Sequence, residues 1–207
     1  MADSPTNPRT TPASLPEVVR RFWWPVYGEA RSRGHSPWAA LRVCGSVLSR
    51  AADSGSLLKA EDHGGQLRLL IRSELKEALA KPERVELASP LKEITVAEAE
   101  ARDDYDLFPD DSAFNRRWAL VVLELALERV RQEYPTPEQQ LRWKQLLPYL
   151  ARRVPEGHYQ DISESVDSSE VFNLRDRFRD HVRRVVSETV TTPMGLDVEL
   201  AELFGAA

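Results

Sequence analysis

The chain has 207 residues, of which 42% are hydrophobic and 29% charged, and its formal net charge is −5. This composition is typical of a folded globular protein and excludes an intrinsically disordered chain. The sequence contains no apolar run of the roughly 18 residues that a membrane-spanning helix needs, so we expect no membrane partner. The single cysteine, Cys44, cannot form an internal disulfide, which favours a cytoplasmic location.

The negative charge is concentrated in one segment. Residues 83–112 contain ten acidic and three basic residues, a net charge of −7, which leaves +2 for the rest of the chain. Residues 113–153 contain eight basic and four acidic residues. This distribution predicts a helical module over 15–82, an acidic linker over 83–112 and a second module over 113–207. Residues 1–14 are polar and proline-rich, which predicts a disordered lead-in.

In the first module, apolar residues recur at steps of three and four, the spacing of an amphipathic helix. The first predicted helix carries Leu15, Val18, Val19, Phe22, Val26 and Ala30. Pro25 falls within this helix and is expected to kink it. Ser36 followed by Pro37 predicts the capped start of a second helix. A third helix is predicted from Leu67 to Lys81, stopped by Pro82.

The same spacing predicts helices through the linker and the second module. Thr95 with Glu98 resembles a capping box, which indicates a short helix over 94–101. A long helix around Trp118 is followed by another over 137–150, whose end Pro148 is expected to distort. Two further helices complete the prediction: one carries Tyr159, Ile162 and Val166, and the last, capped by Asp167, carries Val171, Leu174, Phe178, Val182, Val185 and Val186. No segment alternates as a strand does, so the predicted fold class is all-α.

The last two predicted helices have the layout of a helix-turn-helix that reads the DNA major groove. The candidate DNA contacts are the arginines of the final helix: Arg175, Arg177, Arg179, Arg183 and Arg184. Asp176 and Asp180 interrupt this series. Spacing alone therefore leaves open an ordinary solvated helix face with paired opposite charges.

Several motifs of the chain occur in an order found in a known family. They are Arg-Arg-Phe-Trp-Trp-Pro-Val-Tyr at 20–27, Arg-Ser-Arg-Gly-His-Ser-Pro at 31–37, Gly-Gln-Leu-Arg-Leu-Leu-Ile at 65–71, Asn-Arg-Arg-Trp-Ala-Leu at 115–120, and Leu-Arg-Asp-Arg-Phe-Arg at 174–179 with Glu-Thr-Val at 188–190. In this order, with an acidic linker between the modules, they resemble the extracytoplasmic-function sigma factors, which are sigma-70-like. The similar group is the one common in planctomycetes and related bacteria.

The resemblance implies a transcription initiation protein that binds core RNA polymerase and promoter DNA. The first module, similar to sigma region 2, would grip a polymerase coiled coil and melt the −10 element. The second, similar to the region 4 helix-turn-helix, would read the −35 element. The acidic linker would thread the polymerase channel. Such a protein is not an enzyme in its own right and needs no cofactor.

Two departures from the family pattern support an alternative function. Residues 38–45 contain no acidic residue, whereas the family has several acids and an Asp-Leu-Thr-Gln run that contacts the polymerase. The interval between Val166 and Leu174 is about six residues shorter than in the family, more than one helical turn. The alternative is a degenerate sigma-like scaffold that binds another regulatory protein without binding promoters. Its predicted partner surface contains Trp38, Leu41 and Arg42.

No metal, catalytic or phosphate-binding site is expected. His35, His63, His158 and His181 are scattered, with no pair at metal-ligand spacing. The aspartates of 103–111 lack the glycine and terminal glutamate of a calcium loop, and the serines of 163–169 belong to no recognisable nucleophile motif. Two functions therefore remain open: binding of promoter DNA and binding of a protein partner.

Overall fold

A computed structural model describes residues 15–53, 65–81, 91–103, 112–151 and 166–205. The helices in these ranges are α1 (Leu15–Arg21), α2 (Trp23–Ser32), α3 (Pro37–Asp53), α4 (Leu67–Ala80), α5 (Val96–Ala101), α6 (Ala113–Gln132), α7 (Pro137–Leu146), α8 (Pro148–Ala151), α9 (Ser168–Ser187) and α10 (Pro193–Phe204). Within the described ranges the only β pairing is an isolated antiparallel bridge between Gln66 and Val190. The all-α prediction is confirmed. The predicted lead-in, residues 1–14, lies outside the described residues.

The predicted helix starts are confirmed by their caps. The backbone N–H of Ala39 donates to Ser36 Oγ at 3.3 Å, directly before α3. Thr95 and Glu98 form the reciprocal bonds of a capping box at the start of α5. The backbone N–H of Ser169 donates to Asp167 Oδ1 at 2.9 Å at the start of α9. Each cap satisfies a backbone donor that the helix leaves free and contributes about 1 kcal/mol.

The predicted kink at Pro25 is wrong in its position. The chain breaks at Phe22 instead, between the end of α1 and the start of α2. Pro25 therefore lies in the first turn of α2, where backbone N–H groups have no partner within the helix and a missing N–H costs nothing. Pro148 does end α7, as predicted, and begins the short helix α8.

The main hydrophobic core contains side chains from both predicted modules. Phe22, between α1 and α2, stacks on Trp118 of α6 with ring centroids 3.9 Å apart and an interplanar angle of 14°. Both rings are almost completely buried. Leu91 and Ala99, from the predicted linker, belong to the same cluster, as do valines of α9. The predicted module boundaries are not tested by this packing, but the two modules share one core within the described residues.

A smaller core lies wholly within the second predicted module. Its buried members come from the end of α6, from α7 and from the start of α9: Val130, Tyr134, Trp143, Leu146, Val166, Val171 and Leu174. Of the helix predicted around Tyr159, Ile162 and Val166, only Val166 lies within the described residues. Its burial in this cluster attaches the start of α9 to α6 and α7.

A buried polar network attaches α10 to α4 and α6. The Arg68 guanidinium donates from Nε to Glu199 Oε1 at 2.8 Å and from Nη2 to Glu199 Oε2 at 2.9 Å. The side chains of Arg68 and Glu199 are 2% and 1% exposed. Asn115 Oδ1 accepts from Nη1 at 2.9 Å, and Glu202 also pairs with Nη2. We call these four residues the Arg68 network. It joins parts of the chain that are 131 residues apart.

A second buried polar group is the phenol of Tyr27. The Tyr27 side chain is fully buried, and its hydroxyl has no hydrogen-bond partner among the described residues. Burial, and then the neighbouring Asp103 carboxylate, raise the pKa of Tyr27 from 10.0 to about 12. Asp103 itself accepts from Arg31 Nε at 2.6 Å.

Replacing Tyr27 with phenylalanine is expected to make stability less sensitive to alkaline pH. Because the folded-state pKa is raised, the phenol's contribution is fully present below pH 10 and is lost as the pH rises towards 12. Tyr27→Phe removes that loss and breaks no hydrogen bond, so it should match or exceed the wild-type stability at pH 8. Urea unfolding of both proteins at pH 8 and pH 11 tests this. An equal loss of stability in both proteins between these pH values would contradict it.

Candidate functional site

The two surfaces predicted from the sequence lie on α9 and α3. Helix α9 buries Val171, Leu174, Val182, Val185 and Val186 against the rest of the fold. The five candidate arginines lie at the remaining positions of α9, which are partly or fully exposed to solvent. The structure does not gather these arginines into one group.

Two of the five candidate arginines donate hydrogen bonds to groups elsewhere in the chain. Arg175 donates from Nε and Nη2 to the Tyr149 carbonyl oxygen at 3.2 and 2.8 Å. Arg177 donates to Glu133 Oε2 at 3.0 Å and to the Tyr134 hydroxyl at 2.6 Å. Both side chains are half-buried. In this conformation they connect α9 to α8 and to the end of α6, and their guanidinium groups bond to groups of the same chain.

The other three arginines point outwards. Arg179 forms an ion pair with Asp176 at 2.8 Å, one turn away, and Arg183 pairs with Asp197 of α10 at 3.3 Å. Arg184 is exposed and has no carboxylate within salt-bridge distance among the described residues. Ion pairs this exposed contribute about 0–1 kcal/mol, so Arg179 and Arg183 could exchange their partners for a phosphate.

The charges along α9 and its two caps sum to zero. Between residues 167 and 188 the five arginines are balanced by five carboxylates, at Asp167, Glu170, Asp176, Asp180 and Glu188. Phosphate contacts dominate the affinity of proteins for DNA, and they need an excess of positive charge. Helix α9 and its caps therefore carry no excess of positive charge, unlike a typical promoter-reading helix.

The second predicted surface lies at the start of α3. Trp38 is 52% exposed, and the Arg42 guanidinium lies 4.9 Å from the centre of its ring. Leu41 is only 2% exposed, because it lies on the core side of α3 with Cys44 and Leu48. The prediction that Leu41 contacts a partner is therefore wrong for this conformation. Trp38 and Arg42 remain as the outward residues of the surface.

Cys44 is expected to be inert towards thiol reagents in the folded protein. The side chain is fully buried, its sulfur lies 3.5 Å from the Trp23 carbonyl oxygen, and burial raises the pKa of the thiol. Labelling by Ellman's reagent at pH 8 should be at least about a thousandfold slower than in urea-unfolded protein, because it requires opening of the core. Comparable rates in the two states would contradict the burial of Cys44.

The comparisons with known proteins identify no relative. Family profiles, curated proteins and solved structures contained no match for this chain. In the part of the chain that the structure describes, no three His, Cys, Asp or Glu side chains are grouped to hold a metal ion. Nor is any described helix long and apolar enough to cross a membrane. The function must therefore be inferred from the two surfaces.

Neither the Arg68 network nor α10 was predicted from the sequence. Signals for both were present. Arg68 is a charged residue within the apolar run 67–71, which is unusual unless its charge is paired. Thr192 before Pro193 is the same capping signal that starts α7, and the N–H of Gly195 donates to Thr192 Oγ1 at 3.0 Å. Glu199, between two apolar residues, was the matching signal on α10.

Proposed function

We propose that this chain is a sigma-factor-like helical protein that acts by binding a protein partner, without reading promoter DNA through α9. The observation that carries the proposal is the balance of five arginines by five carboxylates along α9. The attachment of Arg175 and Arg177 to groups of the same chain adds support. The order of motifs along the sequence supports the sigma-like scaffold.

The partner surface of this proposal contains Trp38 and Arg42. Tryptophan and arginine are the side chains most enriched among residues that dominate protein–protein binding energy. An exposed tryptophan with a guanidinium 4.9 Å from its ring centre offers an apolar contact with a fixed positive charge. Core RNA polymerase is the first partner to test, because the sigma-like resemblance implies it.

A DNA-binding titration tests the first half of the proposal. Fluorescence anisotropy of a labelled duplex at 50 mM salt should give a Kd weaker than about 100 µM, at the weak end of non-specific binding. The Arg179→Gln/Arg183→Gln/Arg184→Gln variant should behave like the wild type. Micromolar binding that this variant loses would contradict the proposal.

That contradicting result would favour a second candidate function, promoter recognition. One observation supports it: Arg179, Arg183 and Arg184 are all exposed, and Arg179 and Arg183, four residues apart, lie on the same face of α9. If these residues bind phosphates, each substitution should weaken binding about equally for all DNA sequences and reduce its salt dependence. The triple variant therefore separates the two functions.

Co-elution with core RNA polymerase tests the second half. The wild-type protein should co-elute in size-exclusion chromatography, and Trp38→Glu should not, because a carboxylate replaces the apolar contact. Leu141→Glu is the matched control, since Leu141 is 61% exposed on α7, away from α3. Loss of co-elution in both variants, or in neither, would contradict a partner surface at Trp38. Separation of the wild type from the polymerase would exclude the polymerase as the partner.

A further inference from the structure

Helix α10 is apolar on two sides, and the described part of the fold covers only one of them. The covered side consists of leucines that pack against the main core: Leu196, Leu200 and Leu203. On the other side Met194 is 80% exposed, Val198 45% and Phe204 41%, and no other described helix exposes three large apolar side chains. A helix that is apolar on both sides is normally buried on both. The exposed side is therefore a candidate interface.

The exposed apolar residues share one face of the helix. Met194, Val198 and Ala201 follow each other at steps of four and three, and Phe204 adds a ring near the end of α10. Together they span about 120° of the helix circumference. We call these four residues the outer face of α10. The small Ala201 side chain, also exposed, allows another helix to approach closely at the middle of this face.

The charges of α10 favour a second copy of the chain as the partner. The helix has no basic residue, and each of its three carboxylates pairs within the chain: Asp197 with Arg183 at 3.3 Å, and Glu199 and Glu202 with Arg68. A charged face would select a partner of opposite sign and repel its own copy. A face of paired charges and apolar side chains is complementary to itself, as a two-fold interface requires.

We propose that two copies of the chain associate through the outer face of α10. The two helices pack antiparallel about a two-fold axis that passes between Val198 and Ala201. Each Val198 then packs on Ala201 of the other copy, and each Met194 lies beside Phe204 of the other copy, where its sulfur makes a favourable contact with the ring. This interface goes beyond the proposed function and does not depend on it, because the proposed partner surface lies on α3.

The size of the outer face predicts a weak dimer. Its four side chains offer on the order of 300–400 Å² of apolar surface, so a pair of copies buries on the order of 600–800 Å². Stable protein–protein interfaces bury about 1,200–2,000 Å². We therefore expect reversible association with a Kd on the order of 100 µM.

Sedimentation equilibrium of the full chain tests the association. Between about 10 and 500 µM protein, the weight-average mass should rise from that of a monomer towards twice that value. Val198→Glu places a carboxylate at the middle of the outer face and should weaken association at least about tenfold. Leu141→Glu, the same change at a leucine of α7 that is 61% exposed, should leave it unchanged. A wild type that stays monomeric would overturn the proposal. So would equal association of Val198→Glu and the wild type, or loss of association in both variants.

A mixing experiment shows whether the partner is a second copy. Val198→Lys alone should associate as weakly as Val198→Glu, but an equimolar mixture of the two should associate. The reason is that the two Val198 positions lie about 4.5 Å apart along the helix axis, so opposite charges meet across the two-fold axis. A mixture that stays monomeric would overturn the antiparallel pairing. Circular dichroism checks folding. If a Val198 variant does not fold, Ala201→Glu and Ala201→Lys, equally close to the axis, decide by the same outcomes.

Discussion

Replacing Arg68 with methionine is expected to lower the free energy of unfolding by about 3–5 kcal/mol. The substitution leaves the Glu199 carboxylate buried, at 1% exposure, without its bidentate partner. A buried charge without a partner loses its hydration and gains nothing in return. Total stabilities are about 5–15 kcal/mol, so the variant should be close to unfolding. Urea denaturation at pH 7 measures the change.

The paired variant Arg68→Met/Glu199→Leu is the control for this prediction. Replacing both charges with apolar side chains removes the unpaired carboxylate, so most of the lost stability should return. The double-mutant cycle then gives the coupling energy between Arg68 and Glu199. A single-variant loss below about 1 kcal/mol would contradict the burial of this pair. Equal instability of the single and double variants would show that the network acts through packing rather than charge.

Replacing Trp118 with alanine is expected to lower the free energy of unfolding by a similar amount, about 3–5 kcal/mol. Trp118 is completely buried in the main core and stacks on Phe22. Alanine leaves a large cavity and removes the aromatic contact between the first module and α6. Thermal and urea unfolding both measure the loss.

Trp118→Phe provides the matched control. Phenylalanine keeps a ring against Phe22, and it removes the indole N–H, which has no acceptor among the described residues. The loss should therefore be clearly smaller than in Trp118→Ala. If Trp118→Ala instead unfolds in two separate transitions while the wild type unfolds in one, the two modules are stable apart. A loss below about 1 kcal/mol in Trp118→Ala would contradict a shared core.

Most helices could be predicted because their signals are local. Apolar spacing locates α3, α4, α6 and α9, and the caps at Ser36, Thr95 and Asp167 each depend on residues within three positions. The error at Pro25 was also local. A proline is tolerated in the first turn of a helix, so a helix that contains one can begin just before it, as α2 does.

The candidate site was harder to predict because the partners of its charges are distant in sequence. Arg177 contacts Glu133, 44 residues earlier, and Arg175 contacts Tyr149, 26 residues earlier. The spacing along α9 predicts that the arginines lie outside its apolar stripe, but not which of them bond to other parts of the chain. Leu41 was misplaced for a related reason: one helical position separates the exposed side of α3 from its buried side.

The bridge between Gln66 and Val190 has a consequence for the order of synthesis. Leu67 N–H donates to the Thr189 carbonyl oxygen at 2.8 Å, and Thr191 N–H donates to the Gly65 carbonyl oxygen at 3.0 Å. The partners of these groups and the carboxylate partners of Arg68 are synthesised more than a hundred residues after α4. Arg68 therefore lacks its carboxylate partners until Glu199 and Glu202 have been synthesised, and Phe22 lacks the ring it stacks on until Trp118 has been synthesised. Incompletely packed intermediates of this kind are prone to aggregation.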